Sequence, residues 1–240
     1  MAAAPDTPAP AARELTSAGM TRAALARAET SFIVKGAWNK ADLLRVTLDG
    51  HDYAVKDYAA KSWPVRWSGA LQLGREARAY ARLSGVTGVP RYFGRVDRHA
   101  IVMEYVAGIR LPKFHRRHGG VPRVAESVRA LVDSIHARGV IHGDLRSRDN
   151  ILVTPGGHLF LIDFSSAHVF DPASLAGRAI FPRLRRAEQR ALLKWKVALA
   201  PDQLTDAELA AHRRFKRLRR WWPFNRKQDL PRTRGRNPLL

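Results

Sequence analysis

The chain has 240 residues, 45% of them apolar, enough for one large domain or two small ones with a sizeable core. Lys and Arg total 42 against 21 Asp and Glu, and the formal net charge of +21 favours an anionic partner: nucleotide, nucleic acid, phospholipid or phosphorylated glycan. The absence of cysteine excludes a disulfide framework, a thiolate metal site and a thiol nucleophile, and no apolar run approaches the ~18–20 residues of a membrane-spanning helix.

Residues 1–18 are Ala- and Pro-rich and read as a disordered lead. They lack a basic start followed by an apolar stretch, so no secretory signal is expected. The expected location is the cytoplasm, with the inner membrane face as a peripheral site. A short helix is predicted over 21–30, then strands over 31–35, 43–48 and 51–56. Asp49-Gly50 between the last two is a hairpin signal. The spacing of Leu71, Ala79 and Leu83 predicts a helix over 71–83 with Glu76 on it. Val89-Pro90 breaks it, and two more strands follow at 91–95 and 101–106. This first unit, 19–107, therefore reads as a five-stranded antiparallel sheet with one helix.

A second unit is expected over 108–200. Val128, Leu131, Val132 and Ile135 share one face of a predicted helix over 124–138. A loop from Val140 leads into a short strand at 151–153, Pro155-Gly156-Gly157 turns the chain, and 158–163 returns as its partner. Beyond 184 the sequence reads as helical and strongly basic.

Phosphoryl transfer from ATP needs a cation on the phosphates, Mg²⁺ held by hard oxygen ligands, and a carboxylate that orients the attacking hydroxyl. The sequence offers these residue types in order. Lys56 ends the strand Ala54-Val55-Lys56, and Glu76 lies on the following helix as a counter-charge. Asp144 follows His142-Gly143. Asn150 opens the strand Ile151-Leu152-Val153, and Asp163 closes the returning strand. A hairpin joining the two brings its ends together, so Asn150 and Asp163 can share one metal site.

The ordered set Ala-x-Lys, helix Glu, His-Gly-Asp-Leu … Asn-Ile-Leu-Val and Leu-Ile-Asp-Phe resembles the protein-kinase-like superfamily over roughly 31–170. It resembles most the small bacterial branch of lipopolysaccharide core (Kdo and heptose) kinases and the RIO-type kinases. The resemblance implies an α+β, bilobal protein-kinase-like fold with an antiparallel N-lobe sheet and a reduced helical C-lobe. It also implies ATP and Mg²⁺ as cofactors. Lys56 would then hold the α/β-phosphates and pair with Glu76, Asp144 would be the catalytic base, and Asn150 and Asp163 the Mg²⁺ ligands. Glu104 to Val106 would be the adenine-binding hinge, and Gly36 and Lys40 would serve the phosphates from a loop with a single glycine.

Three departures stand out. Asn150 lies six residues after Asp144 where the family spacing is five, which leaves Asp149 as an alternative ligand. Asp163-Phe164-Ser165 lacks the usual glycine, and no Ala-Pro-Glu follows. The missing protein-substrate platform, which RIO-type kinases also lack, favours a small-molecule or glycan acceptor, a lipopolysaccharide core sugar first. A RIO-like protein Ser/Thr kinase and a pseudokinase docking module are the alternatives.

From Arg183 to Leu240 the chain holds 17 Lys and Arg against 5 Asp and Glu. Thr205-Asp206-Ala207-Glu208 is a capping box, and the 201–240 helix and tail it opens mix Arg with Trp221, Trp222 and Phe224. Such a segment reads as a C-lobe helix whose apolar face packs on the core while its charges face water, or as one that suits an anionic membrane surface, a lipid-linked anionic acceptor or nucleic acid phosphates. No RNA-recognition or helix-turn-helix signature supports nucleic acid as the partner.

Overall fold

In the computed structural model, residues 20–118, 123–199, 204–210 and 213 are described. Helix α1 (Arg22–Arg27) comes first, then strands β1 (Glu29–Val34), β2 (Asp42–Leu48) and β3 (His51–Asp57). Helix α2 (Trp63–Arg82) precedes β4 (Tyr92–Asp97) and β5 (Ala100–Glu104). These strands form one antiparallel sheet in the order β1-β2-β3-β5-β4. The second part holds β6 (Ile109–Arg110), α3 (Leu111–His118), α4 (Val124–Ala137), β7 (Val140–Ile141), β8 (Ile151–Val153) and β9 (Leu159–Leu161). It ends with β10 (His168–Val169), α5 (Leu175–Ala179) and α6 (Phe181–Leu199). An antiparallel N-terminal sheet followed by helices matches the expected kinase-like class.

Side chains alternate between the two faces of a strand, and here both faces are covered. On β3 and β5, Ala54, Ile101 and Met103 join a core with α2, α4 and the β8–β9 hairpin. Tyr53, Val55, Ala100 and Val102 point to the other face, under Met20 and Leu25 of the α1 segment. That double cover explains why the middle of β3 is buried as an unbroken run rather than in alternation.

The short α1 is fixed by charge as well as packing. The Arg22 guanidinium makes a bidentate pair with Asp57 and another with Asp97, with Nε 2.8 Å from Asp97 Oδ2. The hydrogen bond from Arg22 holds the Asp97 carboxyl at about 2, against an ordinary 3.8. The unfolded chain therefore binds this proton first, so the stability Asp97 contributes is complete above about pH 4 and is lost as pH falls toward about 2. Asp97→Asn is expected to flatten that acid limb in melting curves taken across this range.

The structure corrects several sequence expectations. The first helix ends at Arg27, because Ala28 is extended and β1 begins at Glu29. Helix α2 starts at Trp63, eight residues earlier than predicted, with Pro64 at its first turn, where a missing N–H costs nothing. Leu71 is exposed rather than part of the buried face, which is built from Val65, Leu73, Ala77 and Tyr80. Strand β6 and helix α3 occupy a stretch where the sequence predicts no element. The basic helix α6 begins at Phe181 rather than 184. The Thr205–Glu208 capping box forms reciprocally, with Thr205 N–H to Glu208 Oε2 at 3.0 Å and Glu208 N–H to Thr205 Oγ1 at 3.2 Å. Trp221, Trp222 and Phe224 lie outside the described residues, as does the lead over 1–18.

Candidate active site

Lys56 sits on β3 with its side chain on the α2 side of the sheet, and Glu76 reaches it from the helix. The Nζ lies 2.8 Å from Glu76 Oε2, 3.1 Å from Oε1 and 2.9 Å from Asp163 Oδ1. Glu76 is buried, and its pairing is with Lys56, not with the arginines of its own helix. Burial works to lower the Lys56 pKa, but the two carboxylates overcome it and hold the ammonium above its ordinary value. Burial likewise raises Glu76 against the pull of Lys56. Asp163 feels the same burial, yet Lys56 keeps its carboxyl below the usual range.

Asp163 is also conformationally unusual, with φ 64° and ψ 70° in the left-handed region. What holds it there is the next residue. Phe164 is fully buried, edge-on to Tyr80 of α2 at 5.0 Å and against His142 at 4.8 Å. Tyr80 stacks in turn on Tyr92 at 6.1 Å. One aromatic column therefore ties α2, β4 and the Asp144 loop to the Asp163 backbone.

His142 is the loop's internal brace. Its Nε2–H donates to the Ile162 carbonyl at 3.1 Å, and its Nδ1 accepts the Asp144 N–H at 3.3 Å. Burial pushes its pKa down, which agrees with a neutral ring donating from one nitrogen and accepting at the other. The ring is a positioning group and has no open nitrogen to carry a substrate proton.

Asn150 is buried and turned inward. Its Nδ2 donates to the Asp144 carbonyl at 3.0 Å and to Asp144 Oδ2 at 3.1 Å. The extra residue of the loop is taken up in a 3₁₀ turn over Arg148–Asn150. That turn sends Asp149 outward, where its carboxylate lies 3.8 Å from Arg110. Ile162 N–H bonds the Asn150 carbonyl at 2.8 Å, so Asn150 and Asp163 flank the open end of the β8–β9 hairpin. With its amide nitrogen committed to Asp144, Asn150 presents an amide oxygen, and Asp163 adds a carboxylate. That all-oxygen donor set suits a hard divalent cation.

The other expected residues lie on the β1–β2 turn and at the end of β5. The Gly36 N–H is taken by Asp42 Oδ1 at 2.9 Å, and its carbonyl by Lys61 Nζ at 3.2 Å. A Cβ here would lie 2.1 Å from the Ala41 carbonyl oxygen, so glycine is required for a tight turn closed by the Lys61–Asp42 pair. Lys40 is exposed on that turn, and no contact among the described residues draws it toward Lys56. Glu104 ends β5 with its N–H on the Arg91 carbonyl and its carboxylate on the Arg91 N–H. Val106 follows in the segment that links β5 to β6.

The RIO domain family matches this chain over residues 48–174, a stretch that takes in Lys56, Glu76, Asp144, Asn150 and Asp163. The chain belongs to the RIO domain family. It is also similar to 3-phosphoinositide-dependent protein kinase 1 of Homo sapiens and of Mus musculus, 28% identical to each over 153 residues. Those matches cover 60% of this chain and 27% of each relative, so the chain spans about a quarter of their length.

Two features of this RIO domain follow from its geometry. Gly143, between His142 and Asp144, has φ +82°, and a Cβ there would meet the Ser166 carbonyl oxygen at 2.2 Å. A side chain at this position is excluded by both, which accounts for His-Gly-Asp. Gly143→Ala is expected to cost about 1–3 kcal/mol in chemical denaturation and to displace the Asp144 loop.

The second feature, Glu188, was not found from the sequence. It is buried on α6, where Oε1 accepts the Gly143 N–H at 2.7 Å and Oε2 accepts from His136 Nε2 at 2.7 Å and the His142 N–H at 3.4 Å. A lone acid in the basic run 183–190, at helical spacing from Ala191 and Trp195 of the buried stripe, was the available signal. Glu188→Ala leaves several buried donors without an acceptor, each worth about 1–3 kcal/mol. The expected result is a lower melting temperature together with a turnover loss of about 10²-fold from misplacement of the loop.

Proposed function

We propose that the chain is an ATP- and Mg²⁺-dependent phosphotransferase that transfers the γ-phosphoryl group to a hydroxyl acceptor. The single observation that carries this reading is the convergence of Lys56, Glu76 and Asp163 in one ion network beside the hydrogen-bonded pair Asp144–Asn150. Membership of the RIO family supports it, since kinase-like domains generally use this nucleotide and metal.

Lys56 binds the phosphates of ATP and is kept charged and aimed by Glu76. Asn150 and Asp163 would hold Mg²⁺, which supplies charge neutralisation on the phosphate oxygens when bound. Asp144 orients the acceptor hydroxyl and accepts its proton. The hydrogen bond from Asn150 Nδ2 fixes that carboxylate and leaves its other oxygen for the acceptor. Glu104 to Val106 is the proposed adenine-binding segment. Gly36 acts through the shape of its turn, and Lys40 from its exposed tip.

The acceptor is proposed to be a lipopolysaccharide core sugar or a related anionic glycan. After Phe164 the chain turns straight back through β10 to pair with β7, which favours a small acceptor over an extended polypeptide. The RIO family match favours a second reading, protein Ser/Thr kinase activity. The two are separated by incubating the chain with γ-labelled ATP and, in parallel, deacylated lipopolysaccharide core and a generic protein. Label on the glycan supports the first reading, and label on protein alone replaces it with the second. A pseudokinase module is the outcome if nucleotide binds and no label moves.

A further inference from the structure

Among the described residues, helix α2 has one face that nothing covers. Trp63 is 72% exposed, Trp67 65% and Leu71 56%. Their four-residue spacing sets them in one stripe, turned away from the buried Leu73, Ala77 and Tyr80. Trp38, on the β1–β2 turn, is 79% exposed. Lys61, just before the Ser62 N-cap of α2, binds the Gly36 carbonyl and Asp42, and so ties that turn to the start of the helix.

The exposed charges of the helix itself have one sign. Arg66, Arg75 and Arg78 are exposed on the same helix, and its single acid, Glu76, is turned into the core on Lys56. Tryptophan has an apolar body and a polar N–H, which suits the boundary between acyl chains and headgroups. An apolar stripe on a helix whose exposed charges are all cationic is the pattern of a helix lying in an anionic membrane interface. A second copy of the chain would bring arginine against arginine, and the net charge of +21 adds to that repulsion.

We infer that the Trp63–Trp67–Leu71 face of α2 docks on an anionic lipid bilayer. Docking there sets the nucleotide site at the membrane surface, because the same helix carries Glu76. The inference stands apart from the proposed reaction, since binding is read without ATP or acceptor.

The test is co-sedimentation of the full chain with vesicles of phosphatidylcholine alone and of phosphatidylcholine mixed with phosphatidylglycerol. The wild type is expected to bind the anionic vesicles and to leave the neutral ones largely unoccupied. Trp63→Ala/Trp67→Ala is expected to lower partitioning about tenfold per tryptophan. Reversal of Arg66, Arg75 and Arg78 to Glu is expected to lower it at least about fivefold per residue and to abolish the anionic preference. All five positions are exposed, so circular dichroism and melting should match the wild type.

Because the chain has no cysteine, Leu71→Cys accepts a single environment-sensitive fluorophore. Its emission should shift to the blue on anionic vesicles. Unchanged binding by the double tryptophan variant overturns the inference, as does an unshifted Leu71→Cys label on vesicle-bound protein, which would assign binding to another part of the chain. Self-association in the absence of lipid that Trp67→Ala abolishes would reassign the face to a second copy.

Discussion

Lys56→Met is expected to abolish ATP binding and to destabilise the fold by about 3–5 kcal/mol, the cost of removing one partner from a buried ion pair. The size follows from Glu76, which is 1% exposed and whose only described cationic partner is Lys56. Without the ammonium, a carboxylate is left in the core. It escapes that state by taking up a proton, and burial already raises its pKa in the wild type. A raised carboxylate pKa makes the folded state bind the proton that the unfolded state releases. The destabilisation of Lys56→Met is therefore smaller near pH 5 and grows as pH rises. Adding Glu76→Gln removes the stranded charge, so Lys56→Met/Glu76→Gln should recover most of the stability and none of the nucleotide binding. Chemical denaturation at two pH values and ATP titration of the three chains check both halves. Equal losses of stability at pH 5 and pH 8 would mean that Glu76 is not the source.

Asp144→Asn is expected to lower turnover by about 10²–10⁴-fold while ATP affinity and melting temperature stay close to the wild type. The substitution keeps the shape and removes the proposed proton acceptor. Asn150 Nδ2 can still donate to the amide oxygen of the substituted side chain, so the loop geometry is retained. Asp144 lies outside the Lys56–Glu76–Asp163 network, so the proposed nucleotide binding is expected to be preserved. A steady-state analysis should show the loss in kcat with KM for ATP nearly unchanged. A comparable fall in ATP affinity would move Asp144 from acceptor chemistry to nucleotide binding.

Much of this site was legible in the sequence because its parts lie on short regular elements. The Asp49-Gly50 turn and the alternating strands around it put Lys56 at a strand end, and the hairpin between Asn150 and Asp163 brought its own ends together. Both inferences use strand pattern and hairpin geometry alone. The start of α2 was not legible. Residues 63–71 carry Trp, Pro and Gly, and their apolar stripe faces outward, so periodicity pointed to a later beginning.

Contacts between distant side chains were equally silent. Arg22 reaches Asp57 and Asp97, Lys61 reaches Asp42, and Glu188 reaches the His142–Gly143 backbone, in each case across a separation that no motif spans. The consequence for the site is specific. The family resemblance implied that the Gly36 loop serves the phosphates, whereas Asp42 occupies the Gly36 amide. Sequence spacing left Asn150 and Asp149 open, and only the 3₁₀ turn at Arg148–Asn150 distinguishes the inward residue from the outward one.

The proposed reaction requires Lys56, Asp144, Asn150 and Asp163 to act together in moving a phosphoryl group from ATP. Release or transfer of label from γ-labelled ATP by the full chain in Mg²⁺, with chelator and Asp163→Asn as controls, puts that requirement to the test. Mg²⁺-dependent turnover that both controls abolish is the expected result. Turnover that survives Asp163→Asn, or a chain that binds no ATP in the presence of Mg²⁺, would contradict it.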